Sequence, residues 1–353
     1  MPTSHTPPQQ DGTQRATPRA PVLVSILNWN GLQDTLACLA QLSVRDSPAF
    51  NILVIDNGST LDEAQEIRRR FPAVECIRLP ENKGFAGGQN HGMREAMRRG
   101  HQAVLLLNND CEMSTPDVEA LWRTMQADET VAASSPLIYW LHDRQRPQMV
   151  GGWIDWKNHV ACRPSLPGVA KPPGAPTLLN GTALLLRCAA LATIGLLDEA
   201  YFAYYEDNDM SARLAAHGLG AVYCAASSAF HHQRPADQYS AFALYLSARN
   251  AWIFWRKHTP AEHRKSLFRH VLAQNLMEIT LLKRAGETAK CHAVVAGFWD
   301  AQRHRTGVPP KAFRSPFLLR WAMVAAPYLL YQLVCSPVGL LRAKWGAWVR
   351  RGG

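Results

Sequence analysis

The chain lacks the paired cysteines of a metal framework. Its eight cysteines, at positions 38, 76, 111, 162, 188, 224, 291 and 335, include no Cys-x-x-Cys, so no zinc framework is visible. Several sit in apolar runs, where a buried free thiol is the ordinary reading and a reducing compartment fits best. Charge is also sparse. Only 19% of the 353 residues are Asp, Glu, Lys or Arg and 47% are hydrophobic, which suits one large folded domain or two modest ones. The exception is Met1 to Ala20, rich in Pro, Gln, Thr and Ser and almost without apolar residues, which reads as a disordered tail. It has no apolar core after a basic start, so it is not a secretory signal.

The common nucleotide-loop signatures are missing as well. The glycine-rich GFAGG (84–88) is neither Gly-x-Gly-x-x-Gly nor a Walker loop with its Lys-Ser/Thr. That argues against a dinucleotide oxidoreductase or a kinase, and leaves a helix entry with permissive glycines as the plain alternative. Acids are scarce in the C-terminal part. From Arg256 onward seventeen Lys or Arg face four Asp or Glu, a balance of +13, so the first 255 residues sum to about −3 of the chain's +10. A basic surface of that kind suits nucleic acid or an anionic membrane. The tail has no recognition motif for nucleic acid, and apolar runs interrupt its charges, so no nucleic-acid partner is expected.

What is present is a strand–helix alternation. VLVSILN (22–28), NILVIDN (51–57), VECIRL (74–79) and AVLLLNN (103–109) are short, β-rich apolar runs. Helical patterns lie between them at 32–42, 61–71 and 87–100. This order implies a parallel sheet with crossover helices, covered on both faces. Residues 141–177 are loop-like, with six prolines from Pro147 to Pro176. The run 182–195 reads as a strand entering a helix, 207–218 as a helix ending at Gly218, and 220–232 as a strand and its exit. Helices follow at 239–258, 266–284 and 289–305. Residues 321–341 carry no charge over 21 positions, flanked by Arg320, Arg342 and Lys344. Length alone permits a membrane span. Pro327, Gln332, Ser336 and Pro337 favour an interfacial or re-entrant hairpin, with a buried core hairpin as the alternative.

In an open parallel sheet, ligands bind beyond the carboxyl ends of the strands. The first strand ends in Asn28 and Asn30; the second in Asp56, Asn57 and Ser59; the third leads to Asn82, Gly84, Gly88 and Asn90; the fourth ends in Asn108, Asn109, Asp110 and Glu112. One such ending is turn chemistry, but four on one edge build a polar crevice. Asp110 directly follows a buried strand and suits a hard cation such as Mg2+ or Mn2+, with phosphate supplying further oxygens. Ser114 or Thr115 would cap the next helix better than Asp110. His231 and His232 stand at the exit of a later strand. The acids Glu206, Asp207 and Asp209 in YYEDND (204–209) follow an aromatic run, as either a helix start favoured by the macrodipole or a reaction centre.

The order of these pieces resembles glycosyltransferase family two, the inverting sugar-nucleotide transferases, and more narrowly its rhamnosyltransferase-type branch. The resemblance runs from about Val22 to His258 through VSILNWNG, VIDNGS, NKGFAGGQNHG, LLLNND, YFAYYEDNDMSAR and the Arg-Asn helix YLSARNAWIFWRKH. It implies an α/β GT-A fold: a Rossmann-like, mostly parallel sheet with flanking helices over 21–255, after a tail at 1–20. A basic helical, partly membrane-seeking region would occupy 256–353. It implies that Asn28, Asn30, Asp56 and Asn82 hold base and ribose, within a donor crevice that also includes Asn57, Gly84, Asn108 and Asn109. Asp110 would bind the metal, with Glu112 as a possible helper and His231 as the later metal contact (His232 being the adjacent alternative). The family pattern carries several aspartates where this chain has NND. Asp207 would be the base, with Glu206 and Asp209 orienting acceptor or base, and Arg213 pairing with Asp209. The implied partners are a nucleotide-sugar donor and a glycan or polyprenyl-linked acceptor, met at the cytoplasmic face of an inner membrane. Rival readings are a nucleotidyltransferase, disfavoured because NWNG has no cation, and a degenerate donor-binding protein without transfer.

Overall fold

The computed structural model describes residues 20–42, 49–166, 168–232 and 239–335. The expected tail therefore lies outside the described residues except for Ala20, as do positions 336–341 of the uncharged run and everything beyond it. The chain begins with β1 (Val22–Asn28), α1 (Leu32–Gln41), β2 (Phe50–Asp56), α2 (Glu63–Arg70), β3 (Glu75–Arg78), α3 (Gly84–Arg98) and β4 (Ala103–Asn108). Next come β5 (Cys111–Glu112), α4 (Thr115–Ala127), β6 (Val131–Trp140) and the short strands β7 (Pro147–Met149), β8 (Trp153–Asp155) and β9 (Val160–Cys162). β10 (Ala183–Arg187), α5 (Cys188–Ile194), α6 (Glu206–Ala216) and β11 (Gly220–His231) follow. The C-terminal helices are α7 (Ala241–His258), α8 (Leu267–Arg284), α9 (Thr288–Gln302), α10 (Phe317–Ala325) and α11 (Pro327–Cys335).

The main sheet has the order β3-β2-β1-β4-β10-β6-β11-β5, with β7 beside β6. β1 pairs in parallel with both β2 and β4, and β2 with β3. β10 runs against β4 and β6, and β11 returns to the common direction beside β6. The sheet is thus mixed: β10 and the short strands β5 and β7 run against the other six strands. Alternation explains why β1 and β4 read as unbroken apolar runs. Val22, Val24 and Ile26 of β1 and Ala103, Leu105 and Leu107 of β4 pack into one core cluster. Leu23, Val104 and Leu106 pack into another, on the opposite face.

The glycines of α3 bring that helix close to the sheet. A Cβ on Gly92 would stand 1.9 Å from Ser25 Oγ of β1. The capping of α4 falls on Ser114, which forms a reciprocal capping box with Asp117, leaving Asp110 out of that role. Residues 141–177 are not all loop, since β7, β8 and β9 punctuate them.

A third core cluster joins α7, α8 and α9 to Tyr201 and Ala212 near the acidic motif. The compositional break at 255/256 falls inside α7. α10 and α11 are bent by 87° to each other. Among the described residues no single helix is long and apolar enough to cross a membrane, although this bent pair passes by length and composition. One side of the pair packs Leu319, Val324, Leu330 and Val334 against the helical core. Phe317, Leu318, Trp321, Leu329 and Leu333 remain exposed.

Candidate active site

A cavity of about 800 Å3 opens at the ends of β1 and β4, and nine of the thirteen residues expected there line it: Asn57, Asn82, Gly84, Asn108, Asn109, Asp110, Glu206, Asp207 and His231. Asn28, Asn30, Asp56 and Asp209 do not. The reason in each case is hydrogen bonding elsewhere. Asn28 is buried. Its Nδ2 donates to Glu63 Oε2 at 2.8 Å, and its Oδ1 accepts from Thr35 Oγ1 at 2.7 Å. Asn28 therefore ties β1 to α1 and α2. Asn30, with φ 49°, accepts from Thr60 N at 2.8 Å and fixes the loop beyond β1. Asp56 is buried; Oδ1 accepts from Ser59 N at 3.1 Å, while Oδ2 has no hydrogen-bond partner and faces Arg78 Nε at 3.6 Å.

The amides after β2 and β3 interlock. Asn57 Nδ2 donates to Asn82 Oδ1 at 3.1 Å and to the Gly84 carbonyl at 3.0 Å, while Asn57 Oδ1 accepts from Lys83 N at 3.0 Å. Gly84 sits at φ 73°, and a Cβ there would lie 2.4 Å from the Phe202 carbonyl. That position requires glycine, because the glycine-rich turn and the aromatic turn meet backbone to backbone. Asn109 is held by the Gly31 carbonyl and Thr35 Oγ1 at 3.2 and 3.0 Å. Asn108 keeps a buried Oδ1 with no partner.

Asp110 and His231 come together from opposite ends of the sequence, since β11 pairs with β5 in the register His231 to Cys111. His231 Nε2 lies 3.3 Å from Asp110 Oδ1, an oxygen that is buried and lacks a hydrogen-bond partner. On the far side of the ring, His231 Nδ1 is 3.0 Å from Gln148 Oε1. With Nδ1–H donating to Gln148, Nε2 turns a lone pair toward the Asp110 oxygen. A hard cation would satisfy both atoms, so the pair fits a metal that takes its remaining ligands from phosphate and water. Among the described residues there is no cluster of three or more His, Cys, Asp or Glu side chains set to hold a metal. Glu112 does not join the pair; it binds Arg144 instead. His232 is exposed, and its backbone N–H donates to the Asp110 carbonyl at 2.9 Å.

The acidic motif both starts a helix and borders the cavity. Phe202, Tyr204 and Tyr205 have φ of 65°, 68° and 77°, a left-handed turn that bulky residues avoid. α6 starts from that turn with Glu206 and Asp207 in its first positions. Asp207 Oδ1 accepts from Asn208 N at 2.8 Å and Oδ2 from Gly181 N at 3.2 Å, so the carboxylate is held at a helix start and still reaches the cavity. Glu206 is 6% exposed, one of its oxygens has no partner, and burial followed by the charge of Asp207 pushes its carboxyl up to about 8.

Asp209 is two residues past Asp207, about 200° around the helix, and points away from it. Its Oδ1 accepts from Tyr201 Oη at 3.2 Å, Lys257 Nζ at 2.7 Å and His258 Nε2 at 2.7 Å, and its Oδ2 from Arg213 Nε at 2.7 Å. Although Asp209 is buried, His258, Arg213 and Lys257 hold its carboxyl far below the usual range. It anchors α6 to α7, and the expected pairing with Arg213 is present.

Three residues at or beside the cavity were not singled out individually in the sequence. Gln148 and Arg163 come from the loop-like stretch. Asn250 was recognised only as part of a motif, and its Nδ2 donates at 2.8 Å to each of the Tyr201, Ala203 and Tyr204 carbonyls. Neighbouring Arg249 also donates to the Tyr201 carbonyl, at 3.0 Å. The Arg-Asn pair is therefore the clamp on the strained aromatic turn.

Residues 22–166 match the sequence model of "Glycosyl transferase family 2". The chain is 25% identical over 239 residues to a low-salt glycan biosynthesis hexosyltransferase, Agl10, of Haloferax volcanii, covering 65% of this chain and 74% of the relative. It is 26% identical over 216 residues to an N-acetylglucosaminyl-diphospho-decaprenol L-rhamnosyltransferase of Mycobacterium tuberculosis, covering 55% and 70%. Among solved structures, S. aureus TarS 1-349 in complex with UDP-GlcNAc superposes with a TM-score of 0.52 at 14% identity over 88% of this chain and 86% of that one. GalNAc-T7 with UDP, GalNAc and Mn2+ gives 0.53 at 14% identity over 90% of this chain and 58% of that one. Those likenesses show the GT-A-like fold. The chain carries a glycosyltransferase family 2 domain, and the protein is a glycosyltransferase.

Proposed function

We propose that the protein is an inverting transferase that takes a sugar from a nucleotide-sugar donor, dTDP-rhamnose as the first choice, and passes it to a hydroxyl of a lipid-linked or cell-surface glycan. One observation carries this reading. Asp207 reaches the cavity with both oxygens fixed by backbone N–H groups, and the Asp110–His231 pair lines the same space. Asp207 takes the proton of the acceptor hydroxyl as that oxygen bonds to the donor's sugar carbon. The sugar–phosphate bond breaks in the same displacement, and the nucleoside diphosphate leaves with the electron pair. Asp110 and His231 would hold a Mg2+ or Mn2+, which would supply charge neutralisation for that diphosphate. Asn57, Asn82, Gly84 and Asn108 would bound the donor side. The UDP-GlcNAc in one fold neighbour, the UDP, GalNAc and Mn2+ in the other, and the diphospho-decaprenol in the name of a relative support the donor and acceptor classes.

The test is Asp207→Asn. Transfer should fall by about 10²–10⁴-fold, while donor binding, followed as a rise in melting temperature, stays near that of wild type. Loss of donor binding with transfer would move Asp207 into a structural or nucleotide role. We place the protein at the cytoplasmic face of the membrane as a peripheral protein. The exposed Trp321, Leu318 and Leu329 beside a basic C-terminal part support this. Failure to sediment with phosphatidylglycerol vesicles at low salt would remove it from the membrane.

A further inference from the structure

Arg163 follows β9, outside the main sheet, and lines the cavity. Among the described residues that line it, Arg163 is the only Lys or Arg, set against the carboxyls of Asp110, Glu206 and Asp207. Its Nη2 donates to Asn208 Oδ1 at 2.6 Å and stands 3.7 Å from Asp207 Oδ2. The side chain is 38% exposed.

Arginines used purely as struts in this fold look different. Arg213 bonds Asp209 and the Ile194, Gly195 and Leu196 carbonyls. Arg249 bonds Asn250 and the Gly307 and Tyr201 carbonyls. Arg163 has one such bond, and most of its five donors are left over.

The base must come within hydrogen-bond reach of the acceptor hydroxyl. A guanidinium 3.7 Å from that base is therefore within about one sugar ring of the reacting oxygen. Anions are what a planar guanidinium fork with free donors takes, phosphate above all.

We infer that Arg163 forms an anion subsite on the acceptor side of the cavity, taking a phosphate or diphosphate attached to the acceptor sugar. This rests on the transferase reading above. It also links binding to reaction: a phosphate that engages the guanidinium draws it off Asp207 and frees the carboxylate to accept a proton.

The experiment compares wild type, Arg163→Gln and Arg163→Lys with dTDP-rhamnose and three acceptors. These are N-acetylglucosaminyl diphosphate on a short prenyl chain, N-acetylglucosamine 1-phosphate, and neutral octyl N-acetylglucosaminide. Arg163→Gln should raise the KM of the phosphate-bearing acceptors by about tenfold or more, leave the donor KM near wild type, and cost markedly less on the neutral glycoside. Arg163→Lys should fall between. A loss confined to the prenyl diphosphate identifies the lipid-linked source; an equal loss on the 1-phosphate identifies the phosphate alone.

The same loss on all three acceptors, or a rise in the donor KM, overturns the subsite. If wild type transfers to none of the three, the chosen donor or acceptor sugar is wrong and the subsite is read by binding. Calorimetry with inorganic pyrophosphate in EDTA should then show binding that Arg163→Gln weakens by about tenfold. Equal affinity in the two proteins overturns it.

Discussion

Asn250 offers the sharpest test of how the acidic motif is held. Its side chain is buried, and one amide nitrogen serves the carbonyls of Tyr201, Ala203 and Tyr204, each at 2.8 Å. The turn so held contains Phe202, Tyr204 and Tyr205 at positive φ, conformations that cost on the order of 1–3 kcal/mol each unless the surroundings enforce them. In Asn250→Ala the Tyr201 carbonyl keeps Arg249, but the Ala203 and Tyr204 carbonyls lose their donor. Both lie only part-buried, so water recovers some of the loss, and about 1 kcal/mol apiece is reasonable. Arg249 Nε also loses its acceptor, Asn250 Oδ1 at 3.0 Å, for about 1 kcal/mol more. The sum is about 2–4 kcal/mol of stability, or an equivalent relaxation of the turn. Relaxation would move Tyr205, the residue from which α6 starts, and with it Glu206 and Asp207. Asn250→Asp tests the sign, because it keeps the shape and replaces the donor with a carboxylate facing three carbonyls. It should be at least as damaging at neutral pH. Urea denaturation gives the stability, and kcat with the donor KM gives the site. Both variants should lower kcat more than they change donor KM. Stability within about 0.5 kcal/mol of wild type, with kcat unchanged, would refute the clamp.

Glu206 predicts a pH dependence. Its folded value of about 8 lies above the ordinary 4.5, so between those values the folded state holds a proton that the unfolded chain has released. Stability therefore falls as pH climbs from about 4.5 to about 8, by on the order of a few kcal/mol, and Glu206→Gln should flatten that slope in denaturation midpoints. Parallel slopes in the two proteins would remove Glu206 as the cause. Asp110→Ala should abolish the Mn2+-dependent part of the thermal shift given by nucleoside diphosphate, and an unchanged shift would take Asp110 out of the metal site. Gln148→Leu, which frees the far side of His231, should weaken Mn2+ by about 10–100-fold; undiminished Mn2+ affinity would mean that the ring needs no such support.

What the sequence revealed and what it concealed divide along a physical line. Strands buried on both faces announce themselves as apolar runs, and β1, β2 and β4 were legible for that reason; β3, at the sheet edge with Glu75 and Arg78 exposed, is a shorter and weaker run. β6 was not legible, because Ser134, Ser135 and Pro136 interrupt it. The structure buries both serines and lets Ser135 Oγ donate to the Ala183 carbonyl of β10 at 2.8 Å. The strand ends located the crevice correctly as a place, yet residue type alone could not separate a side chain facing the cavity from one facing inward. Asn28 and Asn57 follow neighbouring strands and are both asparagines. One is used up between Glu63 and Thr35 behind the wall, and the other lies on the wall. Asp209 stands about 200° around the helix from Asp207 but only about 60° from Glu206, so helical geometry alone does not send it away from the cavity; Lys257 and His258 of α7 claim it. Arg163, Gln148 and Asn250 reach the site through contacts across 45, 83 and 46–49 positions of chain. No local pattern encodes such a meeting. It arises because β7 and β11 both pair with β6, Arg163 follows β9, and α7 packs beneath the aromatic turn, so these groups come from elements whose own sequences look like ordinary loop and core.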